Sequence, residues 1–256
     1  MIFQIVVFVA AALAGAIASI TGFGIGSVLT PLLAASVGTR LAVAAISVPH
    51  FFATVLRFWR LRTHVDKAVL LRFGIPSAAG GLTGALLHNV AANRALGVVF
   101  GLLLVFVGIS ELTGLSRRMR FGNVPGLIAG AVSGFFGGLV GNQGGIRSAA
   151  LLGFDMDKNA FVATATAVGV IVDAARMPAY FVTQGRQMSA IWIIIAVATL
   201  GAVIGTIFGQ RLLRLVPDRL FRRIVAVLVL ALGIYMAFFA QHSHPTWQLV
   251  VAGRIA

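Results

Sequence analysis

Residues 134–147 read GFFGGLVGNQGGIR, an apolar stretch broken by a cluster of glycines, and residues 15–28, GAIASITGFGIGSV, repeat the arrangement in weaker form. In lipid an unpaired backbone N–H or C=O costs several kcal/mol. An interrupted helix therefore persists there only where protein or a water-filled cavity covers the interruption. Two such breaks, one in each half of the chain, point to a transporter whose binding site lies where two repeats meet. A plain apolar anchor has no use for them.

The surrounding sequence leaves little choice of solvent. Hydrophobic residues make up 59% of the chain and charged residues 10%, where a soluble domain carries roughly 25% charged residues. Long runs without alternation, Ile191–Phe208 and Ile224–Ala240, favour membrane helices over a barrel. Eight apolar segments are expected: Ile2–Ile20, Leu41–Phe58, Ala68–Leu87, Ala95–Leu112, Val124–Val140, Ala160–Tyr180, Ala190–Gln210 and Leu220–Phe239. Each is close to the ~20 residues that cross ~30 Å of hydrocarbon. Ser27–Val37 and Ser148–Phe154 are expected to be short half-helices returning after each break. The N-terminus is apolar from Ile2 without a basic region, and Ala12-Leu13-Ala14 imitates a signal-peptidase site. The segment is expected to be retained, since cleavage would remove half of the first motif.

The formal charge of +14 arises from 20 Lys and Arg against six acids. It fits positive-inside retention and attraction to anionic lipid, with an anionic substrate as an additional cause. No soluble basic face is available for nucleic acid. Arg57–Lys67 and Arg117–Arg120 read as cytoplasmic loops, and the nearly neutral loop of Asp155, Asp157 and Lys158 suits the opposite side. Simple alternation then puts the arginine-rich Arg211–Arg223 outside, a conflict that means either a re-entrant glycine segment that shifts the count by one or another purpose for the arginine cluster. Seven to nine crossings stay open. There is no cysteine, no G-x-S-x-G, no H-E-x-x-H and no Walker loop, so an enzyme is not expected, nor any cofactor or metal.

The two halves resemble each other. A shift of 119 positions carries Gly15, Gly22 and Gly26 onto Gly134, Gly141 and Gly145, Leu32-Leu33 onto Leu151-Leu152, and Arg57 onto Arg176. At a slightly larger offset Gly80-x-x-x-Gly84 matches Gly201-x-x-x-Gly205. The fold class expected is an all-α polytopic membrane protein of about eight transmembrane helices in two homologous repeats, residues 1–116 and 117–256, with glycine-rich broken or re-entrant segments. The same shift exposes a second feature. Ser47, His50, Thr54 and Arg57, spaced to share one helix face, correspond to Thr166, Gly169, Asp173 and Arg176. Such a stripe should face the bundle interior or a cavity, because an Asp or Arg at mid-depth costs about 2.5–3.5 kcal/mol against lipid.

The glycine motifs, Gly22-Phe-Gly-Ile-Gly26 followed by Pro31 and Gly141-Asn-Gln-Gly-Gly145, resemble those of the sulfite exporter TauE/SafE family of bacterial membrane permeases. Length and two-fold hydropathy fit as well, over nearly the whole chain. Ile25 interrupts the first glycine run, Asn142-Gln143 occupy glycine-like places in the second, and Ala149-Ala150 stand where a proline often follows. The resemblance implies ATP-independent movement of a small anion, sulfite or an organosulfonate, across the bacterial cytoplasmic membrane.

The substrate-binding candidates are Gly22, Gly24, Gly26 and Ser27 at the first break, and Gly141, Asn142, Gln143, Gly144, Gly145 and Arg147 at the second. Glycines there would free backbone N–H groups at a half-helix N-terminus, or merely allow close helix packing. Arg147 would clamp an oxyanion or snorkel to an interface; Arg57 and Arg176 lean to snorkelling. Asp173, one turn before Arg176, reads as a structural ion pair or as a coupling site, and His50 offers the same choice. The expected partners are a small anionic substrate, a coupling proton or Na+, membrane lipid and a second copy of the chain; an anion channel or a scaffold subunit are the rival roles.

Overall fold

The computed structural model describes residues 1–21, 24–115, 123–142, 144–151, 154–213 and 218–238. Every regular element among them is helical. In chain order these are α1 (Ile2–Thr21), α2 (Ile25–Val37), α3 (Thr39–Leu61), α4 (Lys67–Val90, with a π-turn at Leu70–Gly74), α5 (Asn93–Thr113), α6 (Asn123–Val140), α7 (Gly144–Leu151), α8 (Lys158–Ala190), α9 (Trp192–Leu213) and α10 (Asp218–Phe238). The chain is a polytopic helical membrane protein: α1, α3, α4, α5, α8 and α9 each contain a stretch long and apolar enough to cross a bilayer.

Local chemistry sets several boundaries. Asp157 caps α8, its Oδ1 accepting from the Asn159 and Ala160 N–H groups at 2.7 and 3.0 Å. The Ala160 bond first, then that from Asn159, holds the exposed Asp157 carboxyl below the usual carboxylate range. Asp66 caps α4 in the same way through Val69 N–H, at 3.0 Å. Gly38, with φ 78°, lets the chain reverse between α2 and α3 at a backbone angle closed to most side chains. The half-helices begin earlier than the sequence suggests: Gly26 and Ser27 lie in the first turn of α2, and Gly144 through Arg147 form the first turn of α7. The sixth apolar segment does not stop at Tyr180. It continues past Pro178 as a helix of 33 residues.

The packing has a two-fold pattern. α1 lies along α9 and α6 along α4, while α3 packs on α8 and α5 on α10. Phe8, Ala12 and Ala16 meet Gly201, Gly205 and Gly209, so α1 and α9 run parallel. Phe73, Ser77 and Gly81 meet Gly130, Gly134 and Gly138, so α4 and α6 do too. The remaining pairs run antiparallel: Gly101 meets Ala237 while Gly108 meets Ala226, and His50 meets Asp173 while Asp66 meets Thr164. Each pairing thus recurs with the halves exchanged and the direction inverted.

This arrangement overturns the expected loop assignment. The Asp66 N–H donates to Thr164 Oγ1 at 2.9 Å, so the loop after α3 and the loop before α8 lie at the same end of the bundle. The reason is the hairpin at each break. Arg57, near the end of α3, reaches Ala18 near the end of α1, so these helices run the same way and α2 returns between them. A hairpin of two helices stands where one segment was counted, and every later element changes side. α9, parallel to α1, then ends at the face that carries Arg60 and Arg62, which removes the conflict over Arg211–Arg223. Arg117–Arg120, and with them the expected boundary between repeats, lie outside the described residues.

The native chain has no cysteine. Thr63→Cys and Asp155→Cys should therefore react with an impermeant thiol reagent from one side, and Ala92→Cys from the other. Labelling of the first two from opposite sides would restore the simple alternation. A Cβ added at Gly84 or Gly205 would stand 2.1 Å from Phe135 O or 1.9 Å from Ala12 O, whereas one at Gly185 meets nothing within 4 Å. Gly84→Ala and Gly205→Ala should each lower thermal stability in detergent by about 1–3 kcal/mol or more, with Gly185→Ala close to neutral.

Candidate functional site

The site is built on two helix ends buried inside the bundle. The last carbonyls of a helix lack intrahelical partners and need other donors when the end is buried. At the end of α1, Arg57 Nη1 donates to Ala18 O. At the end of α6, Arg176 Nη1 donates to Gly137 O, which also accepts from the Gly141 N–H at 3.0 Å. Arg57 and Arg176 are equivalent under the 119-residue shift, and so are the two carbonyls. The second end has further partners. Tyr180 donates its hydroxyl to Gly138 O, and His88 Nδ1 lies 2.7 Å from Leu139 O. The other His88 nitrogen is 3.0 Å from Arg40 O, so a neutral ring donates to one of these carbonyls and an imidazolium to both.

The two glycine motifs meet. A Cβ on Gly26 would stand 2.7 Å from Gly141 O, which sets the first turn of α2 directly against the second break. Gly24 (φ 133°) and Gly141 (φ 76°) hold left-handed backbone where the helices stop. Ser27 and Asn142 are both buried. The Asn142 Nδ2 has no hydrogen-bond partner among the described residues.

Behind this junction lies a charged cluster. Asp173 Oδ1 accepts from Arg176 Nε at 2.9 Å and forms an ion pair with Nη2 at 2.8 Å, and Oδ2 is 2.6 Å from His50 Nδ1. Arg147, on α7, is only 2% exposed, and its Nη1 would stand 3.0 Å from a Cβ on Gly169. The same Cβ would be 3.3 Å from the Thr54 methyl, so glycine at 169 makes room for the guanidinium. Among the described residues the buried charged side chains are Arg57, Arg147, Asp173 and Arg176. Three guanidiniums thus face one carboxylate, an excess of two positive charges before His50 is considered. Asp173 interacts electrostatically with each of the three.

Most sequence candidates arrive here. Both polar stripes face inward: Ser47, Thr54, Arg57, Thr166, Asp173 and Arg176 are buried and His50 is largely so. Ser47 and Thr166 donate back to their own helices, to Ala44 O (2.6 Å) and Val162 O (2.7 Å). Arg57 and Arg176 do not snorkel; the helix breaks draw them inward. Gly144 is buried in the first turn of α7, and Gly145 shares that turn, its surroundings outside the described set. Gly22 and Gln143 also lie outside the described residues. Sequence reasoning missed Tyr180, His88 and Arg40. Tyr180 extends the Thr166–Asp173–Arg176 stripe by one turn, and His88 extends the Gly80–Gly84 ridge by one turn, so both were available to a longer reading of the same periodicities.

A family model described as "Sulfite exporter TauE/SafE" matches residues 7–236, from the first helix to the last. No curated protein and no solved structure gives a match.

Tyr180→Phe leaves the Gly138 carbonyl buried without its hydroxyl donor. The loss should be about 1–3 kcal/mol in unfolding stability, read as a lower melting temperature in detergent. Ser189→Ala, at an exposed hydroxyl that bonds within its own turn, should change nothing measurable.

Proposed function

We propose that this chain, which belongs to the sulfite exporter TauE/SafE family, carries a small sulfur-containing anion, sulfite or an organosulfonate, across the bacterial cytoplasmic membrane by alternating access without ATP. The observation that carries this reading is the buried charge imbalance of Arg57, Arg147 and Arg176 against Asp173. A net positive cluster in an apolar bundle is costly unless an anion completes it. Guanidinium forks match the spread of oxygens on a sulfite or sulfonate group.

The binding place is the junction of the two breaks. The N-terminal turn of α2 offers backbone N–H groups with a favourable dipole, and α7 brings Arg147 from its own first turn. Asn142 supplies a buried amide donor beside Gly141. Ser27, Gly24, Gly26, Gly144 and Gly145 shape the wall, together with Gly22 and Gln143 from outside the described set. The two-fold packing supports a duplicated chain, residues 1–116 and 117–256, whose inverted halves rock about this junction. Arg60, Arg62 and Lys67 at one end, against Arg40, Arg94 and Arg186 at the other, give no bias by themselves. α5 and α9 both end at the first face, and the sequence that follows each of them is arginine-rich, which favours a cytoplasmic first face.

Proteoliposome counterflow of labelled sulfite and methanesulfonate tests the reading. The wild type should exchange one or both at saturable rates. Arg147→Ala should weaken apparent affinity about tenfold or more, the loss of a charged hydrogen bond of ~1.5–3 kcal/mol. Asn142→Ala should weaken it by a smaller factor, with both variants at normal level in the membrane. Undiminished exchange in both variants would remove the proposed site, and conductance without counterflow would make the protein a channel.

A further inference from the structure

We propose that His50 carries the proton that is transported together with the anion, with Asp173 as its fixed partner; this rests on the carrier reading above. His50 stands on α3 and Asp173 on α8, 2.6 Å apart, so the pair joins the two halves across their antiparallel crossing. The other Asp173 oxygen is held by the fork of Arg176, which is itself fastened to the Gly137 carbonyl at the second break. A guanidinium does not release its proton in proteins. The carboxylate therefore stays matched by Arg176, and the imidazole is the member of the cluster with a ring nitrogen left to take up and hand on a proton. It is also the accessible one: the His50 side chain is 14% exposed, against 0% for Asp173 and 2% for Arg176.

The charged and titratable groups around the pair are known among the described residues. Arg57 shares α3, Arg147 comes from α7, and Asp173, Arg176 and Tyr180 come from α8; His88 reaches Arg176 from α4. Of the other helices packed on α3, α2 contains no ionisable side chain, α9 has Arg211 near its end, and α5 has Arg94 and Glu111 near its two ends. A proton on His50 raises the excess of the cluster from two positive charges to three. An anion at the junction then binds more tightly, and by linkage the anion tightens the proton by the same factor. The two ligands load together and leave together, which is symport. For a monoanion the loaded protein carries the same charge as the empty one. Since the pair spans the two halves, rocking must remake it, and its charge biases which arrangement is favoured.

The test uses the full chain in vesicles, with labelled sulfite and with methanesulfonate, which has no titrating proton of its own. The readout is anion accumulation with a pH gradient divided by that without one, taken separately for each variant so that a slower variant still reports. With the lumen one pH unit more alkaline than the bath, the wild type should accumulate the anion about tenfold at equilibrium, the proton gradient converted one for one. His50→Gln should show a ratio near one. A tenfold ratio retained in His50→Gln, or a wild type that exchanges anion but ignores the gradient, overturns the proton site and leaves the carrier reading standing. Absence of both exchange and anion-induced stabilisation in the wild type overturns the carrier reading and this inference with it. Should His50→Gln not transport at all, the thermal stabilisation by methanesulfonate is compared at two pH values. A wild-type shift that grows at the lower pH, with a pH-independent shift in the variant, supports the proton site, and an equal pH dependence in both overturns it.

Discussion

The carbonyls at the ends of α1 and α6 must find hydrogen-bond donors inside an apolar bundle, and much of the remaining structure follows from how they do. A neutral donor would suffice for the backbone, as the Tyr180 hydroxyl shows at Gly138. At the equivalent positions Ala18 and Gly137 the donor is instead a guanidinium, from Arg57 and Arg176. Each arginine adds a donor at a helix end, at Gly137 beside the Gly141 N–H, and in the same act brings a permanent positive charge into the protein. Arg176 spends its remaining nitrogens on Asp173. The side-chain contacts at both helix ends and the site's positive field thus rest on the same side chains.

Packing symmetry and charge symmetry part company at the α3–α8 crossing. The backbone pairings there obey the two-fold pattern, yet His50 in one half corresponds to Gly169 in the other, and Thr54 corresponds to Asp173. One half supplies the imidazole and the other the carboxylate. The absence of a side chain at 169 opens the space that the Arg147 guanidinium fills. Two identical halves would place two like groups against each other across the axis. The unlike residues at these positions give the two-fold packing an asymmetric, directional cluster among the described residues.

Glycine serves two ends that look alike in the sequence. Gly80, Gly84, Gly134 and Gly138 let α4 and α6 approach until a Cβ would stand about 2 Å from the facing carbonyl, the small-residue contact that replaces hydrophobic driving force in a membrane. Gly24 and Gly141 instead hold left-handed backbone where a helix stops. Spacing separates the roles in part, since the packing glycines recur every four residues along one ridge. Asn142 is the polar mark of a break, because an amide has no place on a close-packed ridge.

The sequence by itself determined the membrane class, the helical fold, the two glycine breaks and the two inward-facing polar stripes. Each of these is a local or periodic property: apolar run length, glycine clustering, and residues three and four apart on one face. It also held the equivalence of Arg57 and Arg176 in the repeat offset. It did not contain the direction of the helices after each break. A short return helix and a continuous crossing have similar composition, so the side of the Asp155–Lys158 loop came out wrong until the Asp66–Thr164 contact located it. Nor did it show which groups Arg57 and Arg176 meet inside the bundle, because a carbonyl at a buried helix end leaves no trace in the side-chain pattern. The contact of His50 with Asp173, 123 positions apart in the chain, belongs to the crossing of α3 and α8. Only the tertiary structure decides such a contact, because it depends on how two helices from different halves meet.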